Sequence, residues 1–266
     1  MLSITFLGQT ATGYYALGAA IVSSLMLLPQ SVSRVLYPKV SNALGLGANA
    51  SDCFQLVIFP TRMMNLMLPF GVGVMMLLAP VVYKQILPKY GPGLISAQVL
   101  LAGCFCRLTL ANGANYLIAS NRQSSLLRHI CISLLVGVGV ALIAIRMECG
   151  IVGIALSAGI SGTALAFLVW RTVFRAFGYR GGELYWQMCD LYLPFVLFMV
   201  LMAISWTFIP GFLEYGGLSG VMHVVIFVCM LGGICVAIPK IRNDVEGWIK
   251  LLRIDKRLSV GTSVTG

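Results

Sequence analysis

One arginine of this sequence lies deep within a long apolar stretch. Arg107 stands near the middle of residues 94–120, too far from either end for its guanidinium to reach water easily. At helical spacing, Asn115 shares its side of the helix, and Asn112 lies partly round it. An unpaired charge at this depth is expensive, and no carboxylate of the chain is expected at the same depth. Its counter-charge must come from further sequence, from backbone carbonyls or from a ligand anion, so these three residues are candidate substrate-binding residues.

Arg62 and Asn65 are a second candidate polar cluster, at the start of another apolar stretch. An alternative for Arg62 is that its long side chain reaches along the helix to the head-group region. For Arg107, reaching along the helix to the head-group region is likewise the alternative to ligand binding.

The remaining polar residues argue against catalysis. Membrane hydrolases and transferases need carboxylates, histidine clusters or a Ser/Lys pair, but no acidic residue is expected in the middle of an apolar stretch. His129 and His223 are isolated, and the eight cysteines contain no C-x-x-C pair. The sequence predicts a protein that is not an enzyme and that holds no metal ion or cofactor.

Long apolar stretches must position these residues. The chain is 59% hydrophobic and 10% charged, which is typical of an integral membrane protein. Seven stretches have the roughly 17–25 residues that a membrane-spanning helix needs. They are residues 11–28, 63–87, 94–120, 126–145, 150–174, 191–209 and 218–238. In the fifth, Gly153, Ser157 and Ser161 recur every four residues, which predicts close helix packing. We therefore predict an all-α polytopic bundle over residues 1–239.

Positive charge alternates between the connections. Fourteen of the 18 Lys and Arg residues fall in the first, third and fifth connections and in the C-terminal tail, and three fall on the opposite side. This asymmetry places the tail in the cytoplasm and the N-terminus outside. The tail, residues 240–266, includes a short amphipathic helix that would lie in the head-group plane. Contact with anionic lipids explains the net charge of +10 better than nucleic acid does.

The N-terminal segment, Met1–Gly8, is apolar but too short to span a membrane, and no basic residue precedes it. A chain that starts outside without a targeting element predicts a longer protein whose beginning is missing. The alternative is a true seven-helix protein that inserts with its N-terminus out.

The order of several motifs resembles a repeat unit of the polysaccharide (O-antigen type) flippases, a family of the multidrug/oligosaccharidyl-lipid/polysaccharide exporter superfamily. The motifs are Thr12–Gly18, Leu27–Ser31, Leu36–Val40, Leu68–Gly71, Leu78–Pro80, Leu87–Tyr90, Ala119–Arg122 and Gly150–Ala155. The resemblance covers about residues 1–178, and the last two apolar stretches fit as the extra C-terminal pair that some members carry. No family motif fixes Arg107.

The resemblance implies one lobe of a two-lobe transporter with a pseudo-twofold repeat. It implies a C-terminal lobe that moves a polyprenyl-diphosphate-linked oligosaccharide across a bacterial or archaeal cytoplasmic membrane during surface polysaccharide biosynthesis. The expected partners are this lipid-linked oligosaccharide, membrane lipids and a separate N-terminal lobe. The alternatives are a multidrug or metabolite exporter of the same superfamily, a non-catalytic membrane subunit, and a gene fragment.

Overall fold

The computed structural model describes residues 2–47 and 50–208, and every regular element in these residues is helical. The α-helices are α1 (Leu2–Gly45), α2 (Ala50–Val81), α3 (Leu94–Leu108), α4 (Leu110–Ala119), α5 (Gln123–Arg146), α6 (Gly150–Ala176) and α7 (Gly181–Phe208). A π-helical turn (Val82–Ile86) and a 3-10 helix (Pro88–Gly93) join α2 to α3.

Five helical segments of the described residues are long and apolar enough to cross a membrane. They are Gly8–Gly45, Cys53–Ile86, Pro88–Ala119, Gln123–Arg146 and Gly150–Ala176. They indicate a multi-pass membrane protein and correspond to the first five predicted stretches. The sixth, 191–209, falls largely within α7, and the seventh, 218–238, lies outside the described residues together with the tail at 240–266.

The first predicted connection is wrong. Residues 29–62 were expected to be a connection of about 34 residues, but α1 continues to Gly45 and α2 begins at Ala50. Pro29 and Pro38 lie inside α1, although each removes one backbone hydrogen bond of the helix. Long helices tolerate such losses when neighbours pack against them. Arg34, Lys39 and Arg62 therefore stand on helices rather than in a loop.

The third predicted stretch is helical but not continuous. A turn at Thr109 separates α3 from α4, and the Thr109 hydroxyl donates a hydrogen bond to the Cys106 carbonyl at 3.0 Å. Arg107 lies in the last turn of α3, directly before this interruption. Side-chain competition for a backbone carbonyl is a known cause of such distortions.

One end of the bundle has a large core shared by five helices. Val40 of α1, Val57 of α2, Leu117 of α4, Trp170 of α6 and Leu191 of α7 belong to it. Each is at most 4% exposed, so this cluster fixes the relative positions of the helices that carry the polar residues described below.

Helix α5 is peripheral by contrast. Only Ser133 and Ala141 on it are buried, and large apolar side chains such as Leu127, Leu135 and Ile143 are exposed. An apolar surface this extensive is unusual for a protein in water, but lipid tails cover it in a membrane.

Small residues bring α6 close to α3 and α5, and the contact with α5 uses Ser161 of the predicted four-residue stripe. A methyl group on Gly103 of α3 would lie only 2.6 Å from the Gly159 Cα atom of α6. On the other side, a methyl group on Gly137 of α5 would lie 2.9 Å from the Ser161 Cβ atom. The helices touch through their backbones at these points, which only small residues allow.

Candidate functional site

Arg62 forms an ion pair between α2 and α7. Its Nη2 atom lies 2.6 Å from the Asp190 Oδ2 atom, and it also donates to the Gln187 Oε1 atom at 3.3 Å. The two charged side chains are 22% and 16% exposed, so the pair is partly shielded from its surroundings. A charge-assisted hydrogen bond of this length is strong in such an environment.

Asn65 contacts the same helix one turn further along α2. Its amide group donates to the Leu191 carbonyl at 2.7 Å, and the side chain is 1% exposed. Arg62 and Asn65 thus both contact α7.

Asn112 connects α4 to α2. Its amide group donates to the Thr61 hydroxyl at 3.0 Å, and Thr61 in turn donates to the Val57 carbonyl at 2.7 Å. Asn112 also approaches the Met64 sulfur at 3.4 Å. This chain of contacts is buried, because Thr61 is 0% and Asn112 is 6% exposed.

Asn115 connects α4 to α1. Its amide group donates to the Ser33 hydroxyl at 2.6 Å. We call these polar contacts between α1, α2, α4 and α7 the polar seam. It consists of Ser33, Thr61, Arg62, Asn65, Asn112, Asn115, Gln187 and Asp190. Interhelical hydrogen bonds of this kind hold membrane helices in register.

The polar seam keeps some capacity to bind a further group. The Oδ1 atoms of Asn65 and Asn112 are buried and accept no hydrogen bond within the described part of the chain. A buried acceptor without a donor is unfavourable, and a water molecule or a ligand hydroxyl would relieve it.

Arg107 lies apart from the polar seam, on the part of α3 that faces α1 and α6. Its side chain is exposed and interacts electrostatically with Tyr15 of α1. A methyl group on Gly162 of α6 would lie 3.6 Å from the Arg107 Cβ atom and 3.8 Å from its Cδ atom. The stem of the arginine therefore crosses α6 where that helix has no side chain. Among the described residues, no carboxylate pairs with its guanidinium.

An apolar groove runs along α3 and α6 close to Arg107. It encloses about 610 Å³. Its lining is Val99, Ala102, Gly103, Leu156, Gly159, Ile160, Thr163, Ala164 and Phe167. Gly103 lies one helical turn before Arg107, so a positive charge stands beside an almost wholly apolar groove. Such a pair of surfaces suits a ligand with an anionic head and an apolar chain.

The five predicted residues thus divide into two groups. Four of them make interhelical hydrogen bonds, namely Arg62, Asn65, Asn112 and Asn115. The fifth, Arg107, is exposed and has no carboxylate partner among the described residues. Sequence reasoning missed Thr61, Ser33 and Asp190. Thr61 could have been found from its four-residue spacing to Asn65, but no local signal points to a partner more than 100 residues away.

Comparisons of the chain with protein-family models, with curated proteins and with solved structures found no match. The likeness to polysaccharide flippases therefore rests on the sequence motifs. In the described residues, no three His, Cys, Asp or Glu side chains lie together as a metal site would require.

Proposed function

We propose that this chain forms one lobe of a membrane transporter that moves a polyprenyl-diphosphate-linked oligosaccharide from the inner to the outer leaflet. Arg107 is the observation that carries the proposal. An exposed guanidinium without a carboxylate partner, halfway along an apolar helical segment, is stable only if water or an anion reaches it.

A polyprenyl diphosphate fits the two neighbouring surfaces, the charged one at Arg107 and the apolar groove. A diphosphate offers two adjacent anionic groups that a planar guanidinium can bind through paired hydrogen bonds. A prenyl chain needs an apolar channel, and the groove along α3 and α6 supplies one within a helical turn of Arg107. A cationic drug, which a multidrug exporter would bind, is repelled by the same arginine.

The topology proposed with this function follows the charge asymmetry, with the N-terminus outside and the C-terminal tail in the cytoplasm. In that orientation, a substrate made at the inner leaflet would enter past the arginine-rich ends of the helices and reach Arg107 near the midplane.

Binding of a fluorescent polyprenyl diphosphate to the full chain in lipid nanodiscs tests the proposal directly. We expect Arg107→Ala to weaken binding by about 10- to 100-fold, which corresponds to one or two charge-assisted hydrogen bonds. Arg107→Lys should recover part of the affinity. The matched control is Arg128→Ala, an exposed arginine that bonds Ser125 at 3.1 Å on α5.

The groove has its own test in the same assay. Ala102→Phe would fill the groove and should weaken binding of the long-chain diphosphate much more than that of a two-isoprene diphosphate. Ile132→Phe on the exposed face of α5 is the control.

In cells that make the polysaccharide, Arg107→Ala should cause lipid-linked oligosaccharide to accumulate at unchanged membrane abundance of the chain. Full transport together with unchanged diphosphate affinity in Arg107→Ala would reject the proposal.

A further inference from the structure

A second positively charged site lies at the corner where α6 ends and α7 begins. A cavity of about 500 Å³ opens there. Its lining is Arg171, Arg175, Arg180, Gly181, Leu184 and Tyr185. Three arginine side chains therefore line one cavity.

The local fold explains how the three arginines meet. Arg171 and Arg175 are four residues apart on the last turns of α6, so their side chains share a face. Arg180 follows in the short link, and Gly181 then begins α7 with φ of +56°, a conformation that favours glycine. Like charges on one helix face repel each other, and an anion between them would offset this repulsion.

Aromatic packing holds the corner in place. Tyr179, directly before Arg180, packs edge-on against Phe174 of α6 with ring centroids 6.0 Å apart. It also contacts Phe54 of α2 at 5.6 Å, and Phe54 contacts Phe177 at 5.2 Å. The link is thus anchored to two helices, and the cavity does not depend on a freely moving loop.

Two features of the cavity favour the binding of an anion. The Nε atom of Arg171 is buried and has no acceptor within the described part of the chain. The backbone N–H groups of the first turn of α7 start at Gly181, which lines the cavity, and a helix of 28 residues presents a partial positive charge at that end. Glu183 stands in this first turn but is exposed and does not line the cavity.

We propose that this corner cavity binds a phosphate group. Phosphate matches the set of donors, because each guanidinium offers a planar pair of N–H groups and the Tyr185 hydroxyl and the α7 backbone supply further donors. The phosphate can belong to the head group of an anionic lipid or to a soluble compound, and both would bind through the same contacts. The proposal is independent of the transport function and of Arg107.

The lipid source is tested with the full chain in nanodiscs that contain phosphatidylcholine with or without fluorescent phosphatidylglycerol. Wild-type chain should bind the anionic lipid, and the triple variant Arg171→Gln/Arg175→Gln/Arg180→Gln should bind it at least tenfold more weakly. Arg180→Gln alone changes only an exposed link residue and should weaken binding several-fold without affecting folding. Arg128→Gln, which removes an exposed arginine elsewhere, should leave it unchanged.

The soluble source is tested in nanodiscs of phosphatidylcholine alone. Added inorganic phosphate should then raise the unfolding temperature of the wild-type chain but not that of the triple variant. A phosphatidylglycerol preference that the variants lose supports a lipid ligand, and phosphate protection that they lose supports a soluble one. Wild-type chain that shows neither effect, or variants that bind as well as wild type, would overturn the proposal.

Discussion

Arg62 and Arg107 both stand on apolar helices of this protein, and they have opposite surroundings. Arg62 on α2 is shielded and forms a 2.6 Å ion pair with Asp190 of α7. Arg107 on α3 is exposed, crosses a glycine of α6 and has no carboxylate partner among the described residues. The difference separates a charge that holds helices together from one that is available to a ligand.

The largest effect should follow from removing the charge of Asp190. Asp190→Asn keeps the shape of the side chain but leaves a partly buried Arg62 without its counter-ion. We expect the free energy of unfolding in mixed detergent to fall by about 2–4 kcal/mol. The double variant Arg62→Met/Asp190→Asn should lose less, because it leaves no orphaned charge.

One result would contradict a stabilising role for the ion pair between Arg62 and Asp190. If Asp190→Asn and the double variant unfold at the same detergent concentration as wild type, the ion pair contributes nothing to helix association.

A smaller effect should follow from breaking the contact between Asn112 and Thr61. Asn112→Ala removes the 3.0 Å hydrogen bond and should lower the free energy of unfolding by about 1 kcal/mol. Thr61→Val should lower it by a similar amount, and the two changes together should be less than additive. Ser31→Ala is the control, because this exposed hydroxyl bonds the Leu27 carbonyl of its own helix at 2.8 Å. Additive losses in the double variant would show that the two side chains do not interact.

The smallest effect on stability should come from Arg107 itself. Arg107→Ala should change the free energy of unfolding by no more than about 0.5 kcal/mol, since no carboxylate of the described residues pairs with its guanidinium. The same variant should have the largest effect on diphosphate binding. A stability loss as large as that of Asp190→Asn would mean that Arg107 is a structural residue.

Helix existence and much of the membrane character could be predicted from apolar length alone. The five segments now seen as candidate spans were all predicted, because about 20 apolar residues leave few other structures. The lengths of α1 and α2 could not be predicted in this way. Their polar ends at residues 29–62 fall between two of the apolar stretches and lack the apolar signal.

The polar residues divide in the same way. The depth of Arg107 in its segment was readable from sequence, whereas the partner of Arg62 was not, because Asp190 is 128 residues away. The five proposed site residues remain a prediction for ligand binding. The structure shows in addition that four of these residues connect neighbouring helices.

The backbone contact between Gly103 and Gly159 has a mechanical consequence. A shift of α3 along α6 by one turn would bring Val99 or Arg107 to a point where even one methyl group at Gly103 would lie 2.6 Å from the opposite backbone. At this point the two helices therefore cannot slide past each other, and they have to move together. Any change of shape around Arg107 therefore has to keep this contact between α3 and α6.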